Sequence, residues 1–306
     1  RLFCIFALST TLIMKRIITL AAFLLVSLSA HAGEDAPSPQ IVNVLGRETI
    51  SLDGLWKTIV DPYENGYYNY RMHPHGEASS YFADRDFDAD RTVLYEYNFN
   101  TDRTLLVPGD WNTQRDQLYY YEGTIWYRNI FDYEPKADRR TFIYFGAANY
   151  EAIVGLNGKK IAKHVGGYTP FNVEVTGKLK EKGNSLIVKV DNKRHADAVP
   201  RVNSDWWNYG GLTRSVMIVE TPMTFIRDYC VQLKKESKVI EGWIQLDGEQ
   251  AEQNVTVEIP ELKAKVTVHT DADGYATFQL KAKPEYWCPD NPKLYDVAIV
   301  SETDRI

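Results

Sequence analysis

Residues Ala152–Ala162, AIVGLNGKKIA, carry the clearest structural signal in this chain of 306 residues. Two short apolar runs flank Asn157-Gly158, and an Asn-Gly pair supplies the two positive φ angles that a type I′ turn needs. This pattern predicts a β-hairpin. Ser185–Val190 alternates between polar and apolar residues, which predicts a strand whose apolar side chains, at positions 186, 188 and 190, face a core.

Strand-like runs separated by turn residues recur along the rest of the chain. Their spacing of about 8–12 residues is typical of β-sandwiches, and the aromatic content of 13% also favours strands. The composition changes near Pro222, from an aromatic-rich region to one with shorter strands that are rich in Lys and Glu. We therefore predict an all-β fold with two β-sandwich domains, residues 45–222 and 223–306.

The second predicted domain has the strand spacing of an immunoglobulin-like sandwich. Its last strand is expected over Leu294–Val300. Only 82 residues run from Phe225 to Ile306, whereas an immunoglobulin-like domain uses about 100. We therefore expect this sandwich to be truncated at its C-terminal end.

The charge balance argues against one class of partner. The chain has 35 Lys and Arg against 41 Asp and Glu, which gives a net charge of −6. Without a basic excess the protein cannot neutralise a phosphate backbone. We therefore expect no nucleic-acid partner.

The first 32 residues have the pattern of an export signal. Lys15-Arg16 precedes the apolar run Ile17–Leu28, and Ala30-His31-Ala32 provides a small-residue cleavage site. The apolar run is shorter than the roughly 20 residues that cross a bilayer. We predict that residues 1–32 are upstream sequence and signal peptide, that residues 33–44 form a leader, and that the protein is periplasmic or secreted with no membrane partner.

Motifs for metals and cofactors are weak. Cys230 and Cys288 lie without the spacing of metal ligands, and both a disulfide and two free thiols are compatible with the sequence. His73 and His75 are interpreted as part of a solvated loop. The stretch Tyr63–Arg91 is interpreted in the same way, although its alternating Asp residues superficially resemble a calcium loop. We predict no metal and no cofactor.

Eight short phrases occur in a defined order along the chain. They are LDGLW at 52–56, VPGDWN at 107–112, YEGTIWYR at 121–128, YFGAANY at 144–150, LNGK at 156–159, HVGGYTPF at 164–171, DWWNYGGLTR at 205–214 and WCPDNPKLY at 287–295. Together they resemble the N-terminal half of glycoside hydrolase family 2, which holds β-glucuronidases, β-galactosidases and β-mannosidases. The phrase at 205–214 is most similar to that of bacterial β-glucuronidase-like members.

This resemblance implies a jelly-roll, galactose-binding-like domain, an immunoglobulin-like domain and then a TIM barrel that holds two catalytic Glu. Retaining glycosidases need two carboxyl groups about 5–5.5 Å apart. In the family the acid/base Glu follows an Asn, and no Asn of this chain precedes a Glu. We therefore expect the non-catalytic part of an exported retaining glycosidase. It would be inactive without the TIM barrel of the same chain, homo-oligomeric at full length, and directed first to β-glucuronides and second to β-galactosides.

The candidate substrate-binding residues centre on the phrase at 205–214. In the family its Asp contacts the terminal sugar, so the resemblance assigns that role to Asp205. A carboxylate can accept strong hydrogen bonds from two adjacent sugar hydroxyls. Trp206 and Trp207 are candidates for stacking on sugar faces. Adjacent residues of a strand point to opposite faces, so we expect at most one of them in the site and the other in the core.

Three further expectations concern residues in or near this loop. Asn112 is a further substrate-binding candidate. Arg214 is expected to pair with a neighbouring acid and fix the loop. Gly210-Gly211 is expected to permit a positive φ or a close backbone approach.

Two other functional classes compete with this interpretation. A stand-alone carbohydrate-binding protein without catalysis is one, because jelly rolls also serve as lectins. A structural or adhesive surface protein built on an immunoglobulin-like unit is the other. The incomplete second sandwich disfavours the first class, and the phrase at 205–214 disfavours the second.

Overall fold

The computed structural model describes residues 38–84, 98–100, 103–235 and 238–306. Within these residues the chain is all-β, as predicted, with one short α-helix, α1 (Trp111–Gln114). Short 3₁₀ helices lie at Val44–Gly46, Glu77–Ser79, Tyr81–Ala83, Asp116–Leu118 and Pro260–Leu262. No helix of the described residues is long and apolar enough to cross a membrane. The strands are β1 Thr49–Ser51, β2 Gly54–Val60, β3 Thr104–Val107, β4 Thr124–Phe131, β5 Arg139–Phe145, β6 Glu151–Leu156, β7 Lys159–Val165, β8 Phe171–Glu174, β9 Asn184–Asp191, β10 Val216–Pro222, β11 Phe225–Leu233, β12 Val239–Asp247, β13 Asn254–Ile259, β14 Ala264–His269, β15 Tyr275–Lys281 and β16 Ala298–Val300.

The strands form two sandwiches, each with its own core. In the first, a sheet of order β1-β10-β5-β8 packs on a sheet of order β3-β2-β4-β9-β6-β7. In the second, a sheet of order β11-β12-β15 packs on a sheet of order β14-β13-β16. Large side chains such as Trp56, Trp111 and Tyr127 are fully buried in the first core. Burial of this apolar surface is the main favourable contribution to folding.

The hairpin predicted around residues 157–158 is confirmed. Strands β6 and β7 pair antiparallel, with Leu156 opposite Lys159. Asn157 has φ 52° and Gly158 has φ 86°, so both turn residues take the positive angles that the Asn-Gly pair favours.

Strand β9 is buried on both faces, not only on the predicted one. Leu186, Val188 and Val190 lie in the main core, as expected. On the opposite face Ile187 packs with other apolar side chains in a second, smaller cluster, and Lys189 is also buried. The cover for this face comes from residues 63–84.

The interpretation of the stretch 63–91 as a solvated loop holds for residues 70–74 and 76–79, including His73, which are exposed. It is wrong for Glu64 and for residues 80–84. Phe82 is buried in the smaller cluster, and Asp84 pairs with Arg128 at 2.6 Å. Glu64 is buried and accepts from Lys189 at 2.9 Å and from Lys193 at 2.7 Å. The predicted Asp alternation beyond Asp84, at positions 86, 88 and 90, lies outside the described residues.

The Glu64 carboxylate is held in its charged form by these two lysines. Burial alone would raise the pKa of Glu64, but the hydrogen bonds and charges of Lys193 and Lys189 outweigh burial and lower that pKa from 4.5 to about 2. Lys189 also lies over the rings of Tyr67 and Tyr68, at 5.5 and 5.8 Å. The network therefore fastens residues 63–84 to strand β9 through charge rather than through apolar contact alone.

We expect Glu64→Gln to lower the free energy of unfolding by about 2 kcal/mol at pH 7, because it leaves the buried Lys189 ammonium group with only the more distant carboxylate of Asp191, at 3.9 Å. The folded-state pKa lies below the usual value, so this stabilisation is present above about pH 4.5 and is lost as the pH falls towards 2. Urea unfolding at a series of pH values measures it. The exposed Glu181→Gln serves as the control. A difference between wild type and Glu64→Gln that does not shrink in acid would contradict the assignment.

The second sandwich differs from expectation at its last strand. The strand predicted over 294–300 pairs only over Ala298–Val300, against β13. The preceding residues have no neighbouring strand in the described chain; instead the hydroxyl of Tyr295 accepts from the N–H of Glu285 at 2.7 Å. Cys230 and Cys288 are both free thiols; Cys230 is half-buried and Cys288 is exposed.

Two arginines connect the sandwiches. The buried Arg47 pairs with Asp304 at 3.1 Å and donates to the carbonyl of Ile226 at 2.6 Å. Arg140 joins Glu174 of the first sandwich, at 2.9 Å, to Asp247 of the second, at 2.6 Å. We call these contacts the arginine joint.

Candidate functional site

The loop Ser204–Leu212 contains the predicted site and lies against α1. The N–H of Trp111 donates to the carbonyl of Gly210 at 2.9 Å. The N–H of Gly210 in turn donates to Oδ1 of Asn112 at 3.0 Å. Asn112 and Gly210 are 98 residues apart in the sequence. Two distant sequence phrases therefore meet at this loop.

Three buried asparagines fix the backbone of this loop. Asn149 donates to the side chain of Asn208 at 3.0 Å. Asn192 donates to the carbonyl of Asn208 at 2.7 Å, and the amide of Asn208 donates back to the carbonyl of Asn192. Hydrogen bonds between buried polar groups specify one arrangement of the chain. The Oδ1 of Asn149 is the exception in this cluster, since it has no hydrogen-bond partner among the described residues. Neither Asn149 nor Asn192 was predicted to have a role; the available signal was that Asn149 lies within the phrase at 144–150.

A pocket of about 210 Å³ opens beside the loop, and Asp205 lies on its lining. Asp205 is exposed. Among the described residues its carboxylate has neither a hydrogen-bond partner nor an ion-pair partner, so it does not serve as a turn cap. Both oxygens remain available as acceptors for a ligand.

Both tryptophans of the loop are exposed, Trp206 by 62% and Trp207 by 39%. The expectation that one of them lies in the core is therefore wrong. Its premise fails because residues 205–208 form no strand, and the alternation of faces does not apply. Trp207 instead contacts three tyrosine rings, at centroid distances of 4.9, 5.6 and 6.1 Å: Tyr119, Tyr120 and Tyr209.

Asn112 lines the pocket but uses its polar atoms within the protein. It is buried, and its amide donates to the carbonyls of Leu118 and Tyr121 at 2.9 and 3.1 Å. Its Oδ1 accepts from Gly210. The structure thus gives Asn112 a positioning role, and a direct sugar contact by this residue stays a prediction.

The expected acid partner of Arg214 is not found among the described residues. Arg214 donates instead to the carbonyl of Tyr168 at 3.5 Å. The expectation for Gly210-Gly211 is confirmed, since Gly211 has φ 131° and Gly210 lies against the ring of Trp111. In the described part of the chain no group of three or more His, Cys, Asp or Glu side chains could hold a metal ion.

Arg194 is a site residue that the sequence analysis missed. Its Nε donates to both oxygens of Glu122, at 2.9 and 3.1 Å. Its Nη1 and Nη2 donate to the carbonyls of Ser204 and Trp206, at 2.8 and 2.7 Å. These two carbonyls flank Asp205, so Arg194 fixes the backbone on both sides of that residue. No motif surrounds Arg194 in the sequence, although its partners Glu122 and Trp206 lie within recognised phrases.

We expect Arg194→Ala to mobilise the loop without unfolding the sandwich. Losing charge-assisted hydrogen bonds to two carbonyls should reduce the hydrogen-exchange protection of the bonded N–H groups of Ser204 and Gly210 about tenfold. The exposed Arg201→Ala, in the same segment, is the control and should leave protection unchanged. Equal exchange in the two variants would remove Arg194 from the site.

The family is shown by the first sandwich. Residues 50–222 match the family model described as glycosyl hydrolases family 2, sugar binding domain. The chain belongs to glycoside hydrolase family 2. The resemblance drawn from the sequence phrases is thereby confirmed, and the loop with Asp205 lies within the matched region.

The relatives include proteins named β-galactosidase and proteins named β-glucuronidase. A β-galactosidase of Thermoanaerobacter pseudethanolicus is 28% identical over 193 residues, 58% of this chain and 26% of the relative. A β-glucuronidase of Rattus norvegicus is 28% identical over 137 residues, 36% of this chain and 21% of the relative. The chain therefore matches about a quarter or less of the length of these two proteins.

The fold resembles that of solved family structures. The structure of Bifidobacterium dentium β-glucuronidase complexed with coumarin-3-O-glucuronide superposes with a TM-score of 0.67 and 23% identity, covering 85% of this chain and 47% of that chain. A β-glucuronidase of an uncultured Clostridium sp. gives a TM-score of 0.63 and 25% identity, covering 89% and 45%. The all-β sandwich fold is thus confirmed, and the chain spans less than half of each solved relative.

Proposed function

We propose that this chain is the non-catalytic N-terminal part of a retaining glycosidase that removes terminal β-linked sugars. Family membership and relatives named β-glucuronidase and β-galactosidase support a glycosidase as the full-length protein. A retaining glycosidase needs two carboxyl groups about 5–5.5 Å apart. The family's Asn-Glu pair is missing from the sequence, so we propose that the chain alone is inactive.

One observation carries the proposal: the Asp205 carboxylate is exposed at a pocket while its loop is fixed from below. A carboxylate placed in this way can accept hydrogen bonds from two neighbouring sugar hydroxyls, and such charge-assisted bonds are strong. Because hydrogen bonds already hold the loop in place, little conformational entropy is lost when the sugar binds. Bonds that shorten as the sugar ring distorts would also lower the activation barrier.

The choice of sugar depends on a group outside this pocket. A uronate carboxylate needs a cation, and Arg194 is the only cation among the described lining residues. Its donors are already used by Glu122 and by the loop carbonyls. The phrase at 205–214 and the relatives named β-glucuronidase support β-glucuronides as the first substrate class, with β-galactosides as the second. We propose that the catalytic barrel supplies the cation that a uronate needs.

Assaying the full-length protein and the 306-residue chain side by side tests the proposal. The substrates are nitrophenyl β-glucuronide and nitrophenyl β-galactoside. We expect turnover of the glucuronide by the full-length protein alone, with the β-anomer as the first product in an NMR time course. Turnover by the isolated chain would refute its non-catalytic role, and a preference for the galactoside would reverse the substrate order. Sugar binding without turnover by either protein would instead support a stand-alone carbohydrate-binding protein.

We also propose export through the N-terminal segment and a homo-oligomeric full-length protein. The basic pair, the apolar run and the small-residue site at Ala30-His31-Ala32 support export. N-terminal sequencing of the protein from the periplasm or medium should begin at Gly33. Light scattering on the full-length protein should give a mass of two or more chains.

A further inference from the structure

Four exposed aromatic side chains lie in contact beside the Asp205 pocket. Tyr119 and Tyr120 meet at 4.9 Å, and both contact Trp207, which also contacts Tyr209. Their exposed fractions are 46%, 82%, 39% and 44% in the order Tyr119, Tyr120, Trp207 and Tyr209. We call these four residues the aromatic platform.

The platform combines apolar ring faces with unused polar atoms. Among the described residues, no partner is found for the hydroxyls of Tyr119, Tyr120 and Tyr209 or for the indole N–H of Trp207. A clustered, exposed aromatic surface of this kind marks a binding site rather than a scatter of single apolar residues. A ligand that suits it has flat apolar faces and a rim of hydrogen-bonding groups.

A β-linked sugar chain has that chemistry. A pyranose ring with equatorial hydroxyls presents its axial C–H groups as an apolar face, and its hydroxyls point outwards around the rim. The face can pack on an aromatic ring while the hydroxyls bond to tyrosine O–H groups. Tyr120, Trp207 and Tyr209 offer successive rings 5.6 and 6.1 Å apart, so the surface extends beyond the pocket that holds Asp205.

We propose that the aromatic platform binds the sugar residues that follow the terminal sugar, and that the substrate class is therefore a β-linked oligosaccharide rather than a simple monosaccharide glycoside. This inference rests on the proposed function, since it takes Asp205 as the contact to the terminal sugar. The platform and Asp205 share one pocket, which Tyr119, Tyr120 and Trp207 line together with Asp205. Adjacent units of one chain can therefore occupy both.

Titrations of the 306-residue chain, followed by tryptophan fluorescence and by NMR shifts, test the platform. The probes are a methyl β-glycoside, a nitrophenyl β-glycoside and a β-linked trisaccharide, each in a glucuronate-terminated and a galactose-terminated form. We expect the trisaccharide of the preferred sugar to bind about tenfold more tightly than its methyl glycoside, which corresponds to about 1.4 kcal/mol. Tyr120→Ala and Trp207→Ala should each abolish most of that difference.

The control variant is Tyr286→Ala, because Tyr286 is a tyrosine of the second sandwich that is 61% exposed. It should retain the full length dependence. Equal binding of the short and long probes would overturn the platform proposal, as would a length dependence that survives both platform variants. Tighter binding of the nitrophenyl glycoside than of the trisaccharide would assign the rings to an aromatic leaving group and would also overturn it.

Asp205→Asn separates this inference from the proposed function. If it leaves binding of the methyl glycoside unchanged while the length dependence persists, the role of Asp205 fails and the platform stands. If it weakens both probes equally and the trisaccharide still binds more tightly, both proposals are supported. Loss of the length dependence only in the platform variants identifies the rings as its source.

Discussion

Replacing Gly210 with alanine is expected to destabilise the first sandwich by about 3 kcal/mol and to displace the loop that carries Asp205. A Cβ at this position would lie 2.1, 2.4 and 2.5 Å from three carbons of the Trp111 ring. Trp111 is fully buried and its indole N–H donates to the carbonyl of Tyr121 at 3.1 Å. The ring cannot move aside without losing core packing and a buried hydrogen bond.

Chemical denaturation of Gly210→Ala measures this effect, and two variants make it specific. Gly76→Ala is the matched control, because a Cβ there meets no atom within 4 Å, and its effect should be within about 0.5 kcal/mol. Trp111→Phe removes the atoms that clash, so the cost of Gly210→Ala should fall in that background. A Gly210→Ala protein that unfolds like Gly76→Ala would show that the ring and the loop are not in contact.

Asp205→Asn in the full-length protein is expected to lower kcat/KM about a hundredfold, which is about 2.7 kcal/mol of transition-state stabilisation. The amide keeps the size of the side chain but loses the charge that strengthens its bonds to sugar hydroxyls. The free energy of unfolding should stay within about 0.5 kcal/mol of wild type, because the exposed carboxylate has no partner among the described residues.

Kinetics with the preferred nitrophenyl glycoside and a parallel urea titration check both parts of this prediction. Asp290→Asn, an exposed carboxylate of the second sandwich, should change neither quantity. A fall in kcat as well as a rise in KM would mean that the bonds tighten in the transition state. Kinetics like those of wild type would remove Asp205 from the site.

Features with a short-range cause were predictable from the sequence. The Asn157-Gly158 turn follows from the backbone preference of two residues, and the core face of β9 follows from the alternation of its own side chains. The phrase at 205–214 located the site loop, and Asp205 has the exposure that a ligand contact requires. Each of these conclusions needed information from only a few neighbouring residues.

Features that depend on distant partners were not predictable. The charged stretch after Tyr63 looked solvated because its two lysine partners, Lys189 and Lys193, come more than 120 residues later. The positions of Trp206 and Trp207 were wrong because the strand geometry assumed for them is absent. Arg194 has no motif around it, and its role appears only when its donors are traced to Glu122 and to the loop carbonyls.

The arginine joint fixes the orientation of the candidate site relative to the second sandwich. Arg47 and Arg140 each reach across the boundary between the sandwiches. The Arg47–Asp304 pair is buried, and breaking a buried ion pair costs about 3–5 kcal/mol. The Arg140–Asp247 pair is partly exposed and contributes less. The two sandwiches should therefore tumble as one body, with a single rotational correlation time in NMR relaxation. The second sandwich then holds the first in one orientation. This orientation determines the angle at which the sugar-binding edge of the first sandwich faces any neighbouring domain.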